Sequence, residues 1–254
     1  MPLKLRLIQH SLVRLLLPAS CALCGSACDA IVCSACAAQF FGHDRLRCGP
    51  CGNPLDGIPL GGIRLDGQNN VHLRCGACLA EARSFDATLV AGDYAAPLDQ
   101  LVLRLKFGGQ LALATLFAQL LHEAALRQPD FLLPDLLCPV PLGPSRLAER
   151  GFNQALEMAR PLARMLGLPL HRTLVQRVRE TQAQSGLAPG ERGRNMARAF
   201  TLAPQARSLV CGRHIGIVDD VMSSGQTLDE LAATLKRFGA ARVSNLVFAR
   251  TPPH

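Results

Sequence analysis

The spacing of apolar residues changes character twice along the chain, and the changes divide it. Leu5, Ile8, Leu12, Leu15 and Leu16 fall on one face of a helix, which predicts an amphipathic helix over residues 1–20. From 21 to 80 that periodicity gives way to cysteines and glycines. Near Arg83 the cysteines stop and apolar periodicity returns, placing a boundary at 79–84 and a second domain over 84–254. Within that domain residues 85–94 predict a strand, 97–107 and 111–126 two helices, and 136–140 a short buried strand. Phe152, Leu156, Ala159, Leu162 and Leu166 draw a further helical face ending at Gly167, with Pro161 expected to kink it. Ile215, Ile217 and Val218 read as another buried strand, followed by a helix to Phe238 and a last strand over 243–248. Strands alternating with helices imply an α/β fold with a mainly parallel sheet.

The stretch IGIVDDVMSSGQTL, residues 215–228, organises that second domain. Asp219 and Asp220 stand at the carboxyl end of an apolar strand, where open α/β sheets place their ligands. Ser223, Ser224, Gly225, Gln226 and Thr227 then form a small-residue loop before the helix. Backbone N–H groups, hydroxyls and the helix N-terminus can converge there on a phosphate. Adjacent carboxylates repel phosphate but accept strongly from ribose hydroxyls. A ribose 5-phosphate unit fits both, with Asp219 and Asp220 as the candidate catalytic pair; a solvated Asp-Asp turn is the alternative.

Eight of the eleven cysteines form CxxC pairs: Cys21/Cys24, Cys33/Cys36, Cys48/Cys51 and Cys75/Cys78. Two such knuckles complete a tetrahedral four-thiolate Zn2+ site with no open position for water, so two structural zinc ions are expected. Pairing in sequence order, with Gly25, Gly49, Gly52 and Gly76 letting the knuckles turn, is the first choice; interleaved pairing stays open. The glycine- and asparagine-rich loop 52–74 reads as an insertion in the second ribbon, and His72 as a solvated residue rather than a ligand. Cys28, Cys138 and Cys211 stand outside the pairs, the latter two as buried small apolar residues. His10 and Arg14 interrupt the first apolar run and Pro18 spoils a lipoprotein-type box, which argues against an export leader and for a cytoplasmic protein whose thiols stay reduced.

A formal charge of +8 favours anionic partners. It is nearly all arginine, with lysine only at 4, 106 and 236. One tyrosine and no tryptophan leave few platforms for stacking single-stranded bases, so charge alone supports nucleic-acid binding only weakly. Lys106 closes the first predicted helix of the second domain, either as a solvated cation on the helix dipole or facing a ligand. Arg146 and Arg150 follow a predicted strand; they either neutralise a pyrophosphate or are solvated helix-start charges. Residues 177–200, with Thr181, Gln182, Arg192, Arg194 and Asn195, are too long for an ordinary connection and read as a lid over the ligand.

Taken in order, the CxxC pairs, Leu105-Lys106-Phe107, Pro139-Val140-Pro141, Arg150-Gly-Phe-Asn-Gln154, Arg177 with Thr181-Gln182, Arg194-Asn195 with Ala199-Phe200, and the 215–228 stretch resemble the ComF family of phosphoribosyltransferase-like proteins. The 215–228 stretch itself resembles the 5-phosphoribosyl-1-pyrophosphate (PRPP) motif of type I phosphoribosyltransferases. The resemblance implies a double zinc ribbon over 21–80 joined to a type I phosphoribosyltransferase sheet with helices on both faces. It further implies PRPP or nucleotide binding by Ser223, Ser224, Gly225, Gln226, Thr227, Lys106, Arg146, Arg150 and Asn153, with Mg2+ accompanying PRPP in an active enzyme. For competence members it implies a role in uptake of single-stranded DNA, with a helicase or other uptake proteins as partners and at most peripheral membrane association. An active transferase with an unidentified acceptor and a regulator that senses nucleotides are the alternatives. Ser223-Ser224 stands where many relatives carry threonines, which keeps the ligand type.

Overall fold

The computed structural model describes residues 20–41, 45–55, 63–65, 71–178 and 199–252. The predicted amphipathic helix, the side chain of His72, and Thr181, Gln182, Arg192, Arg194 and Asn195 of the expected lid lie outside the described residues. The amino-terminal part contributes helix α1 (Ser34–Phe41), an antiparallel pair β1 (Ile63–Leu65) and β2 (Val71–Leu73), and a single turn of helix α2 (Gly76–Ala80).

Beyond it the chain alternates as its periodicity predicts. Strand β3 (Ala87–Asp93) leads to helices α3 (Leu98–Gly108) and α4 (Ala112–Arg127), then to β4 (Leu136–Pro139). Helices α5 (Pro144–Arg150) and α6 (Gln154–Leu166) follow, then an antiparallel pair β5 (Val175–Arg177) and β6 (Phe200–Leu202), and a short helix α7 (Arg207–Val210). Strand β7 (His214–Met222), helix α8 (Gln226–Arg237) and strand β8 (Arg242–Arg250) complete it. The main sheet has the order β3-β8-β7-β4 with every neighbour parallel, so β7 and β8 are interior. Interior parallel strands are covered on both faces and therefore read as apolar runs. Accordingly Leu246 and Phe248 of β8 pack with α3, α4 and α6 on one face, where Phe248 stacks on Phe117, and Val243 and Val247 pack with α8 on the other.

Two details depart from the sequence expectations. Helix α6 begins at Gln154 and runs on through Pro161, its fully covered positions being Ala155, Met158, Ala159, Leu162 and Ala163 rather than Leu156 and Leu166. Cys138 is buried as expected, but Cys211 is exposed just after α7, where it lies against Gly239 at a turn rather than in the core.

Among the described residues the cysteine module shares its core with the sheet. Cys21, Val32, Cys36 and Phe41 pack with the α3/α4 face, whereas Cys48, Cys51, Cys75 and Cys78 pack with Phe85, Met222 and Val247 on the α8 face. The Gly49 carbonyl accepts from the Thr88 N–H at 2.9 Å, and a Cβ on Gly52 would stand 2.4 Å from Val90 Cγ2. Arg47 reaches Asp93 at 2.8 Å and Arg45 pairs with the same carboxylate. The module thus grips the β3 edge from both faces.

Candidate functional site

Parallel strands deliver their carboxyl ends to one edge of the sheet, where Asp219 to Met222 of β7 lie between the end of β4 and Arg250 of β8. Strand alternation sends the two acids to opposite faces. Asp220 is 2% exposed and meets Lys106 Nζ at 2.8 Å, so the lysine at the end of α3 faces the site rather than solvent. Gln154, the first residue of α6, donates to Asp220 Oδ1 at 3.5 Å and accepts from Arg150 at 3.1 Å. The Arg150 guanidinium lies 5.2 Å from the centre of the Phe107 ring, next to Lys106 in sequence. A closed chain of contacts therefore links α3, β7, α6 and α5 around one buried carboxylate.

Asp219 is half-buried and accepts from the Asp220 N–H at 2.9 Å. Burial holds its carboxyl well above the usual carboxylate range, the charge of Asp220 adds to this, and Lys106 opposes it. The folded chain thus binds this proton more tightly than the unfolded chain, and Asp219 costs stability as pH rises from the ordinary carboxylate range through its raised value. Asp219→Asn is expected to raise the Tm of the ligand-free protein at pH 7 and to lose that advantage near pH 3. Thermal melts at the two pH values check this, and a Tm lowered equally at both contradicts it.

The loop that follows is short and shaped by one glycine. Ser223 and Ser224 are exposed and Ser224 Oγ accepts from the Gln226 N–H at 3.4 Å. Gly225, buried at the start of α8, has φ of +80°, a backbone conformation costly for any other residue. Gln226 is exposed, Thr227 half-buried, and Asp229 in the first turn of α8 accepts from the Ser84 N–H at 2.7 Å, anchoring the helix to the chain leaving the cysteine module.

The predicted ligand residues divide. Asp219, Asp220, Lys106 and the 223–227 loop share the carboxyl edge, and Arg150 joins them through Gln154. Arg146 is exposed on α5. Asn153 caps α6, its Oδ1 accepting from the Ala155 and Leu156 N–H groups and its Nδ2 donating to the Val140 carbonyl, so its side chain serves the helix. Sequence reasoning assigned no role to Gln154 or Arg250. Arg250 is 6% exposed and donates to the carbonyls of Cys51 at 2.9 Å, Met222 at 2.9 Å, Thr251 at 2.7 Å, and Ser223. The signal for it was a charge placed directly after the buried apolar run Leu246 to Ala249.

The eight paired cysteines gather into two quartets in sequence order, Cys21/Cys24/Cys33/Cys36 and Cys48/Cys51/Cys75/Cys78, each with its sulfurs within 4.8 Å of one another. Tetrahedral zinc with Zn–S bonds of about 2.3 Å requires sulfur–sulfur edges of about 3.8 Å. Cys24 and Cys33 stand 3.8 Å apart and Cys51 and Cys75 3.6 Å, and none is in a disulfide. The Cys33 N–H points at Cys21 Sγ and the Cys75 N–H at Cys48 Sγ, each at 3.3 Å, which favours thiolate. Burial pushes Cys78 up to about 12 and contact with Cys48 pushes Cys51 up as well, so four thiolates in the second quartet need a cation. Each quartet could hold one zinc ion.

Against known proteins, the phosphoribosyl transferase domain family matches residues 153–253, from the cap of α6 to the end of β8. Competence protein F of Haemophilus influenzae is 32% identical over 222 residues, covering 86% of this chain and 90% of that protein. The chain belongs to the ComF family. DNA utilization protein YhgH of Escherichia coli K12 is 34% identical over 87% of this chain and 90% of its own length. Among solved structures, the glutamine PRPP amidotransferase of B. subtilis complexed with ADP and GMP aligns over 52% of this chain and 26% of its own, at 18% identity and a TM-score of 0.35, a likeness too loose to add weight. In this ComF-family chain the phosphoribosyltransferase-type sheet carries the acids and the loop, and the cysteine quartets lie against both of its faces. Among the described residues no helix is long and apolar enough to cross a membrane.

Proposed function

We propose that this ComF-family protein binds PRPP, or a nucleotide presenting the same ribose 5-phosphate, at the carboxyl edge of β7 and acts in the handling of single-stranded DNA for natural transformation. The observation that carries the ligand is the buried Asp220 held by Lys106 beside the Gly225 loop. Ribose hydroxyls take the half-buried Asp219, which Asp220 backs through its pairing with Lys106, the 5-phosphate takes the N–H groups of the 223–227 loop, and Lys106 with Arg150 supplies positive charge toward the pyrophosphate. Gln226 and Thr227 belong to that loop through their main-chain N–H groups. Mg2+ enters as the counter-ion of PRPP. The biological half of the reading rests on the names of the relatives, competence protein F and DNA utilization protein.

In the same reading residues 21–80 form a double zinc ribbon, 84–254 the phosphoribosyl-binding domain, and the protein works on the cytoplasmic side of the uptake machinery, where a helicase or other competence protein is its partner. The test is genetic. In a transformable host with this chain as its single copy, Asp219→Asn combined with Asp220→Asn preserves shape and removes the charges, and transformation is expected to fall by at least about tenfold, the scale of one charge-assisted hydrogen bond. Normal transformation at normal protein level sinks the assignment.

A further inference from the structure

Arg250 is a buried guanidinium that donates to four main-chain carbonyls. A buried cation is costly unless it is both hydrogen-bonded and compensated in charge. Carbonyls supply the first requirement. For the second, the nearest candidate is the quartet of Cys48, Cys51, Cys75 and Cys78, because the Arg250 Nε–H donates to the Cys51 carbonyl at 2.9 Å. Four thiolates around one Zn2+ carry net negative charge, which suits a guanidinium held against their knuckle.

The carbonyls it gathers are not a random set. Cys51 lies in the second quartet's knuckle, whereas Met222 and Ser223 open the phosphoribosyl loop. Across a trans peptide the C=O and the next N–H point in opposite directions. Drawing the Met222 and Ser223 carbonyls inward therefore turns the Ser223 and Ser224 N–H groups outward, toward the edge where an anion would sit. Both serines are exposed, as that orientation requires.

We propose that Arg250 is a positioning residue that aims the Ser223 and Ser224 N–H groups by tying the loop to the knuckle at Cys51, so that the shape of the anion-binding loop depends on the metal held by Cys48, Cys51, Cys75 and Cys78. The proposal rests on the reading of 223–227 as the phosphoribosyl loop. Coupling of this kind is reciprocal: whatever holds the loop also holds the metal.

The test uses the zinc-loaded full chain as wild type, Arg250→Met and Arg250→Lys. Zinc transfer to a chromogenic chelator is followed in time, with Cys24→Ser marking which phase belongs to the first quartet, and hydrogen exchange of the 222–227 amides is measured against those of β4. In Arg250→Met the second-quartet phase is expected to quicken at least about tenfold and loop exchange to quicken with it, while the first-quartet phase and β4 stay as in wild type. Arg250→Lys keeps the charge with fewer donors and falls between, and it carries the test should the methionine variant not fold. PRPP is expected to slow the second-quartet phase in wild type and to have no such effect in Arg250→Met. The proposal is overturned by a chain with no zinc in the second quartet, by both zinc phases quickening together, or by a faster second phase with unaltered loop exchange. A wild type that shows the metal–loop link but ignores PRPP overturns the phosphoribosyl reading alone.

Discussion

Gly225→Val is expected to abolish measurable PRPP binding while leaving the chain folded. The glycine sits at φ +80°, where a side chain costs about 1–2 kcal/mol and a β-branched one more. A Cβ would also stand 2.6 Å from Met222 Cε, but that atom ends a flexible side chain and can yield, whereas the backbone cannot. Relief comes by rotating the peptide at the start of α8, which re-aims the Gln226 and Thr227 N–H groups away from the phosphate. Losing two charge-assisted hydrogen bonds, at about 1.5–3 kcal/mol each, weakens PRPP by at least about a hundredfold. DNA separates two versions of the site. If the loop serves PRPP alone, the weak single-strand affinity of the basic surface persists with an unchanged salt slope in Gly225→Val. Parallel loss of PRPP and DNA binding contradicts this and moves the DNA site into the 223–227 loop.

Cys48→Ser is expected to unfold more than the cysteine module. The change of pattern at 79–84 would make the cysteine-rich part a unit with its own core, so that losing one knuckle would spare the sheet. The structure overturns that expectation, because Cys48 is fully buried among residues that include Phe85, Met222 and Val247, and its knuckle hydrogen-bonds to β3 through Gly49 and Thr88. A structural zinc site supplies on the order of 10 kcal/mol of apparent folding free energy. At this chain length each kcal/mol lost lowers Tm by roughly 2–4 °C. A fall of at least ~10 °C is therefore expected, in one transition that takes the sheet with it. The wild type should carry two zinc ions per chain by metal analysis, one for each quartet, and Cys48→Ser one. A variant that melts in two steps, with the sheet at its wild-type temperature, contradicts the shared core.

What was legible in the sequence were the features written as local pattern. The parallel strands showed as apolar runs, the helices as 3.6-residue faces, and the quartets as CxxC spacing whose sequence-order pairing recurs in the structure. Lys106 had two readings in the sequence, and only the packing of α3 against β7 decides between them, by placing its ammonium on Asp220. Asn153 shows the converse: it belongs to a motif shared with the family, yet its position at the first turn of α6 uses its side chain as a cap. Short α5 escaped notice because its charged sequence buries nothing and so leaves no periodic trace. Arg250 escaped for another reason. Its partners include main-chain carbonyls from residues 51, 222, 223 and 251, and no residue pattern records where a carbonyl will point.

The central claim, that Asp219, Asp220 and the Gly225 loop form a phosphoribosyl site, is tested most directly by calorimetric titration of PRPP with Mg2+ into the zinc-loaded wild-type chain, alongside Asp219→Asn with Asp220→Asn. Saturable one-to-one binding to the wild type and none to the double variant is the predicted result. No heat of binding in the wild type, or equal binding by both, contradicts it.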